Sequence, residues 1–237
     1  HNNWSMCTDK GENLLDPGST PEDNAQFLLF LSAVIKAVDD YQDLLRLCVA
    51  SAGNDHRLGA NEAPPAIVSM YLGEELDGIL SAIAEDRPYS KRAKCEVEVG
   101  VKVLPHFPKD STDRNRTSPF AFTGNKFEFR MLGSTFSISG PNIVLNTIVA
   151  DSLDKFADRL DAAKGDIMDE VTAIIKATFL KHRRIIFNGN NYSDEWVKEA
   201  ERRGLLNLRT TPEAMPLFKS KKNIDLFVRH GVFTEEE

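Results

Sequence analysis

Charged and aromatic residues alternate over residues 126–130, which read Lys126, Phe127, Glu128, Phe129 and Arg130. This period of two is typical of a β-strand with two different faces. The phenylalanines then point into a core, and the charged side chains share the other face at spacings of about 6.6 Å. A carboxylate between two cations suits a divalent metal and a polyphosphate held together. The pattern also fits a half-buried edge strand whose charged face is only solvated.

The composition limits the classes of partner. The chain has 237 residues and a net charge of −7, whereas a general nucleic-acid binder usually carries a basic surface. Its three cysteines include no CxxC pair, which favours a reducing cytoplasm over a disulfide framework. The best apolar run, residues 27–38, is interrupted by Ser32 and Lys36 and is shorter than the roughly 18 residues of a membrane helix. We expect no nucleic-acid partner, no membrane contact and no signal peptide.

Two further stretches carry candidate functional groups. Residues 51–66 are rich in Gly, Pro and polar side chains, which predicts a loop of the kind where catalytic groups gather. Arg57 can hold a carboxylate bidentately, and Glu62 can act as a base or as a cation-binding gate. Near the start, His1 and Ser5 fall on one face of a possible strand, as a metal ligand or base and as a phosphate-side donor. An ordinary surface loop with Asx turns also explains residues 51–66, and a polar loop without function also explains the stretch at the start.

The rest of the chain is mostly helical in pattern. Helices are expected over residues 27–38 and 40–49, the first capped by Thr20 before Pro21, and a strand over residues 96–103. Further helices are expected over residues 142–160, after residue 165, after a Ser193 cap, from Thr211 and near the C-terminus. We therefore divide the chain into residues 1–150, part of a catalytic domain, and residues 151–237, a helical region. The start at His1 without methionine suggests a piece of a longer protein.

Three stretches together resemble the glutamine synthetases, and within them the type III branch. Residues 1–5, HNNWS, resemble the end of the family's His-containing loop and strand. Residues 54–67, NDHRLGANEAPPAI, resemble its flap, which carries an arginine and a glutamate. Residues 115–122 and 126–130, NRTSPFAF and KFEFR, resemble its Asn-Arg-Ser and Arg-x-Glu-x-Arg strand. Residues 191–214 are similar to the tail of the type III branch, which shorter types lack.

The resemblance implies ATP-dependent condensation of glutamate and ammonia to glutamine, through γ-glutamyl phosphate. It makes His1 and Glu128 ligands of one divalent ion, Mg²⁺ or Mn²⁺. It makes Arg57 the holder of the glutamate carboxylate. It places Glu62 on the flap that closes over the intermediate and helps to deprotonate ammonium. Such an acyl phosphate has to be kept from water, which is why a closing loop is needed.

The same resemblance assigns the phosphate contacts. Arg116 and Arg130 would stabilise phosphoryl charge, and Arg130 would also contact substrate. Lys126 stands where the family usually has arginine and would contact ATP, and Ser5 would lie near the nucleotide. The chain departs from the family at Asn3, often a second histidine, and at Ala121, where shorter types carry another phosphate-binding arginine.

The fold implied is α/β (α+β), with a curved, mainly antiparallel sheet carrying the site, helices behind it and a helical C-terminal region. The family forms homo-oligomers, double-ring dodecamers, and its other glutamate metal ligands would lie upstream of His1. We therefore expect the isolated chain to be inactive. Two alternatives stay open at this point. The protein could be a glutamine synthetase-like nucleotide-binding or regulatory protein without turnover, or a ligase that joins glutamate to another amine.

Overall fold

The protein has a mixed α/β fold in which helices dominate. A computed structural model describes residues 1–60, 63–89, 96–97, 107–108 and 117–237. The helices are α1 Ala25–Asp40, α2 Gln42–Leu47, α3 Ala52–Arg57, α4 Glu74–Ala84, α5 Ser139–Asp161, α6 Ile167–His182, α7 Asp194–Arg202, α8 Thr211–Ala214 and α9 Lys221–Arg229. The strands are β1 Asn2–Trp4, β2 Met70–Tyr71, β3 Glu96–Val97, β4 Phe107–Pro108, β5 Phe120–Phe122 and β6 Phe127–Phe129.

A small mixed sheet carries the alternating segment. Its four strands lie in the order β1-β6-β5-β2. Strand β6 pairs antiparallel with both β1 and β5, whereas β2 pairs parallel with β5. The strand expected at residues 96–103 begins as predicted with β3, which pairs antiparallel with β4; residues 98–103 lie outside the described part of the chain.

Phenylalanines join this sheet to the helical core. Phe127 and Phe129 are fully buried, as their alternation with charged residues predicts. Phe120 stacks on Phe127 with ring centroids 4.6 Å apart, and Phe122 meets the same ring edge-on at 5.3 Å. Phe27 of α1 lies 5.9 Å from Phe122. Aromatic contacts of this kind add to the free energy gained from burial, so the charged face of β6 is fixed by the packing behind it.

Helix α1 is the central helix of the core, because most of its residues are buried. This agrees with the helix expected over residues 27–38. None of the helices in the described part of the chain combines the length and the apolar character needed to cross a membrane.

Helix caps are only partly as predicted. Ser193 caps α7 by accepting a hydrogen bond from the Trp196 amide at 3.2 Å. Thr20 makes no side-chain cap bond, and residues Pro21–Asp23 form a separate 3-10 turn. Helix α1 instead begins after Asn24, whose Oδ1 accepts from the Phe27 amide at 3.0 Å. The prediction for Thr20 was wrong because a 3-10 turn started by proline displaced the α-helical start by several residues.

The C-terminal helices pack onto the same core. Helix α5 runs through residue 150, and buried residues from both sides of this position, such as Leu145 and Trp196, belong to one hydrophobic cluster. The division of the chain at residue 150 stays a prediction. In the described structure the helices on both sides of this position share one hydrophobic cluster.

A buried carboxylate anchors the last helix. Asp151 of α5 is 1% exposed and accepts hydrogen bonds from Lys155 at 2.6 Å, from the Tyr41 hydroxyl at 3.2 Å and from Arg229 of α9. His230 lies 3.4 Å from the same carboxylate. Burial works to raise the pKa of Asp151, but the bonds from Lys155 and the charges around it outweigh this, and the pKa is lowered. Burial and Asp151 together raise the pKa of Tyr41 to about 12.

Replacement of Asp151 should therefore loosen α9. We expect Asp151→Asn to lower the free energy of unfolding by about 1–3 kcal/mol near neutral pH, because charge-assisted hydrogen bonds to several partners are weakened. The pKa of Asp151 is lower in the folded chain than its ordinary value of 3.8. The ionised carboxylate thus stabilises the fold above this value, and the gain is lost as the pH falls towards the folded pKa.

Urea unfolding at a series of pH values measures this effect. The difference between wild type and Asp151→Asn should be constant above about pH 5 and shrink below about pH 4. Asp158→Asn, at an exposed position of the same helix, is the control and should change stability by less than about 0.5 kcal/mol. A difference that grew on acidification would contradict the assignment.

Candidate active site

Strand pairing brings the first histidine to the acid of the alternating segment. In the β1–β6 ladder Asn3 lies opposite Glu128, and Ala121 of β5 lies opposite Glu128 on the other side. His1 precedes β1, and its Nδ1 lies 2.6 Å from Glu128 Oε1. The side chain of His1 is 55% exposed and that of Glu128 is 21% exposed. The pair therefore opens to solvent on the face of the sheet opposite the phenylalanine core.

A guanidinium holds the second oxygen of the same carboxylate. Arg130 Nε donates to Glu128 Oε2 at 2.8 Å, and Arg130 Nη1 donates to Thr117 Oγ1 at 2.7 Å. The Arg130 side chain is only 14% exposed. Glu128 is thereby oriented by Arg130 and presents its Oε1 to His1.

The basic residue at the start of β6 lies on the surface. Lys126 is exposed, and its backbone carbonyl closes a turn by accepting from the Thr123 amide at 2.8 Å. Ser5 stabilises this turn through Asn125, which lies within it. The Ser5 hydroxyl is 3.0 Å from the Asn125 carbonyl oxygen and 2.8 Å from Asn13 Oδ1. In the described structure Ser5 is thus engaged in contacts within the protein, beside the turn that carries Lys126.

Arg57 comes from the segment that was expected to be a loop. The expectation was wrong for its first part, because residues Ala52–Arg57 form helix α3. Ser51 caps this helix by accepting from the Asn54 amide at 3.1 Å. Arg57 is the last residue of α3, so its position is set by a helix and not by an irregular loop.

Helix α3 is attached to the end of strand β6. Arg57 Nη2 donates to the Met131 carbonyl oxygen at 2.6 Å and to the Arg130 carbonyl oxygen at 3.4 Å. Arg57 Nε donates to Asn54 Oδ1 at 2.9 Å. Asn54 is buried and donates to the carbonyl oxygens of Val49 and Met131 at 2.8 and 2.9 Å. These bonds bring the guanidinium of Arg57 next to the backbone that carries Arg130.

Burial lowers the pKa of Arg57, and the electrostatic interaction with Tyr192, once that phenol is ionised, works in the opposite direction. An arginine stays protonated under ordinary conditions despite such a shift. Arg57 therefore remains a cation that can bind a carboxylate.

The predicted residues fall into three groups. His1, Glu128 and Arg130 are in direct contact, and the Arg57 side chain bonds to the Arg130 carbonyl. Lys126 and Ser5 lie near one turn at the start of β6. The last two predicted residues, Glu62 and Arg116, lie outside the described part of the chain. Sequence reasoning missed Asn54 as the residue that orients Arg57, although it stands in the same motif.

A second group of possible metal ligands lies between α1 and α6. Asp39, Asp40 and His182 bring their ligand atoms within 4.8 Å of one another. Asp39 is 2.7 Å from His182 Nδ1 and accepts from Arg184 Nε at 2.8 Å, while Asp40 is paired with Lys36. Each carboxylate already has a basic partner, so this group acts as an ion-pair network between helices.

Comparison with known protein families shows which family model the C-terminal part of the chain matches. Residues 170–237 match the family model of the glutamine synthetase C-terminal domain. This match assigns the C-terminal part to that family model, and the whole chain is similar to glutamine synthetases, as the relatives below show.

Three curated relatives show which glutamine synthetases the whole chain is similar to. The chain is 52% identical over 240 residues to the type-3 glutamine synthetase of Dictyostelium discoideum. It is 51% identical over 243 residues to a glutamine synthetase of Butyrivibrio fibrisolvens and 43% identical to one of Bacteroides fragilis. Each alignment covers 100% of this chain, but 32%, 34% and 33% of these relatives respectively. The chain thus spans about a third of the length of the curated relatives it matches.

The buried amide of Asn54 gives a test of this geometry. We expect Asn54→Ala to lower the free energy of unfolding by about 1–3 kcal/mol, because the carbonyl oxygen of Val49 loses a donor inside the protein. Asn125→Ala is the control, since this exposed residue is bonded here through its backbone carbonyl. Urea unfolding of the chain measures both variants, and equal effects would contradict the role assigned to Asn54.

Proposed function

We propose that this chain supplies one side of the active site of a type III glutamine synthetase. The enzyme condenses glutamate with ammonia at the expense of ATP, through γ-glutamyl phosphate. The observation that carries the proposal is the contact of His1 with Glu128, and of Glu128 with Arg130, beside the backbone that holds Arg57. The identity of 52% to a protein named type-3 glutamine synthetase supports the reaction.

His1 and Glu128 fit two ligands of a small divalent ion. Their nearest atoms are 2.6 Å apart, close to the roughly 3 Å between neighbouring ligand atoms around an octahedral ion. An imidazole nitrogen with a carboxylate oxygen suits Mn²⁺ as well as Mg²⁺. Within the residues that the structure describes, no third His, Cys, Asp or Glu joins this pair. When bound, the ion would neutralise oxygens of the transferred phosphoryl group.

Cations of the chain would act on the phosphates. Arg130 lies beside the ligand pair and, with Arg116, would stabilise the charge that spreads over the phosphoryl oxygens during transfer. The exposed ammonium of Lys126 would contact the phosphates of ATP. Ser5 would lie near the nucleotide, where its contacts with the turn before Lys126 keep that turn in place. Little covalent chemistry is asked of the protein, because phosphoryl transfer depends mainly on positioning and charge.

Glutamate and ammonia would be held at the flap, residues 54–67. Arg57 would bind the glutamate carboxylate through its guanidinium, which Asn54 and the Met131 carbonyl already orient. Glu62 would help to deprotonate ammonium and, as the flap closes, exclude water from the acyl phosphate. The proposal extends to the assembly: a curved, mainly antiparallel sheet completed by upstream residues, in a homo-oligomer that is a dodecamer.

The reaction can be tested by comparing two lengths of protein. A full-length protein that contains this chain should release ADP from ATP only when both glutamate and ammonia are present. The isolated chain should show no ammonia-dependent ADP release, because it offers only one side of the site. Clear turnover by the isolated chain would refute the second expectation. Full-length protein that binds ATP without turnover would favour a regulatory relative, and faster reaction with larger amines would favour a different glutamate–amine ligase.

The metal role of Glu128 predicts a selective defect. In the full-length enzyme, Glu128→Gln should raise the metal concentration needed for half-maximal activity at least roughly tenfold, because an amide oxygen carries no charge for the ion. The KM for glutamate should change less than the metal requirement. Glu12→Gln, at an exposed position, should change neither quantity. An unaltered metal requirement in Glu128→Gln would count against this assignment.

A further inference from the structure

Helix α3 is too short to be stable without contacts to the rest of the protein. It has six residues, and Ala52, Gly53 and His56 are exposed. Isolated helices shorter than about 12 residues are marginal in water. The orientation of Arg57 at its end therefore depends on the contacts that attach α3 to the rest of the protein. Asn54 and Arg57 attach one side of the helix to the end of β6, as described above.

Asp55 attaches the other side of α3 to the C-terminal region. Its carboxylate accepts hydrogen bonds from the Thr211 amide at 2.6 Å, from the Thr211 hydroxyl at 3.0 Å and from Arg46 Nη2 at 2.9 Å. Burial works to raise the pKa of Asp55, but the bonds from Thr211 and Arg46 outweigh it, and the pKa is lowered. The carboxylate is therefore ionised near neutral pH, and its bonds to these donors are charge-assisted.

Arg46 extends this attachment. Its side chain is 1% exposed, and it donates from Nε to the Leu208 carbonyl oxygen at 2.6 Å and from Nη2 to the Arg209 carbonyl oxygen at 3.4 Å. Residues 208–211, called the C-terminal tether below, are thus bonded to α2 through Arg46 and to α3 through Asp55. A buried arginine that joins two carbonyls to a carboxylate fixes all three in one arrangement.

Beyond the end of α3 a cavity of about 280 Å³ separates the two regions. It is lined on one side by residues 58–60, 63, 65 and 66 and on the other by residues 192–194, 197, 207 and 209. The bonds between Asp55 and Thr211 join α3 directly to the C-terminal tether.

We propose that Asp55 is a positioning residue, which sets the orientation of Arg57 by fastening helix α3 to the C-terminal tether. The inference rests on the proposed function, in which Arg57 holds the glutamate carboxylate. It makes residues 208–211 contribute to the affinity for glutamate although they do not touch it. Asp55 itself takes no part in the chemistry and acts only through Arg57.

Three variants of the full-length enzyme test the proposal by steady-state kinetics. Asp55→Ala removes every bond of the carboxylate and should raise the KM for glutamate about tenfold, with the KM for ATP changed less than twofold. Asp55→Asn keeps one acceptor and should show a smaller increase. Thr211→Val removes only the hydroxyl donor, keeps the backbone amide and should raise the KM for glutamate about twofold to threefold. His56→Ala, at the exposed position between Asp55 and Arg57, is the control and should behave like wild type.

Hydrogen exchange of the full-length protein provides a readout that needs no turnover. Amides of residues 55–58, at the end of α3, should exchange about tenfold faster in Asp55→Ala, whereas those of helix α6 should keep their wild-type rates. Failure of the wild-type enzyme to use ammonia overturns the proposed function, and exchange then decides whether Asp55 holds α3. The two failures are thus distinguishable.

The remaining outcomes of the kinetic and exchange experiments either overturn or support the positioning role of Asp55. Slower turnover with an unchanged KM for glutamate, equal increases in the KM values for glutamate and ATP, or unchanged exchange at α3 would overturn the positioning role. If Asp55→Ala does not fold, Thr211→Val takes its place. A glutamate KM within error of wild type in a folded Thr211→Val, together with unchanged exchange at α3, would overturn the proposal. The ordered increase across the three variants, absent in His56→Ala, supports it.

Discussion

The burial of Phe127 and Phe129 is the interaction on which the candidate site depends. Successive residues of a strand face opposite sides, so a shift of one residue in the pairing of β6 would bury Glu128 and expose the phenylalanines. Both rings are fully buried against Phe120 and Phe122, which makes such a shift costly. The same pairing sets Asn3 opposite Glu128 and brings the imidazole of His1 to its carboxylate. Packing on one face of the sheet thereby arranges the polar groups on the other face.

The site is also joined to the C-terminal helices, through α3. Two neighbouring residues of this helix contact different parts of the protein, Asn54 the end of β6 and Asp55 the C-terminal tether. Helix α9 is fastened separately, through Arg229 and the buried Asp151. The two carboxylates at these junctions, Asp55 and Asp151, each accept hydrogen bonds from several donors. This is the condition under which a buried charge is tolerated. Residues 170–237, which match the family model, are thus bonded directly to the helix that carries Arg57.

Sequence reasoning was successful where one local pattern determined the outcome, and it failed where distant contacts decided. The alternation at residues 126–130 predicted the buried and charged faces of β6, and the Ser193 cap was found as expected. Helix α3 was missed because its Gly53 disfavours a helix, which the cap of Ser51 and the bonds of Asn54 and Asp55 compensate. Asp39 and His182 lie 143 positions apart in the sequence, so no local sequence pattern predicts their contact. The contact of His1 with Glu128 spans 127 positions and was expected from family resemblance alone.

The charge of the whole chain does not determine the charge of the site. The net charge is −7, yet the outer face of β6 carries one carboxylate between Lys126 and Arg130. The short-range field of a site follows from the groups within a few ångströms, because solvent and salt screen the more distant ones. Glu128 is in contact with both His1 and Arg130, so its negative charge is already compensated locally. In the proposed function, a divalent ion added to this pair would make the face more positive, which is the environment that phosphate oxygens favour.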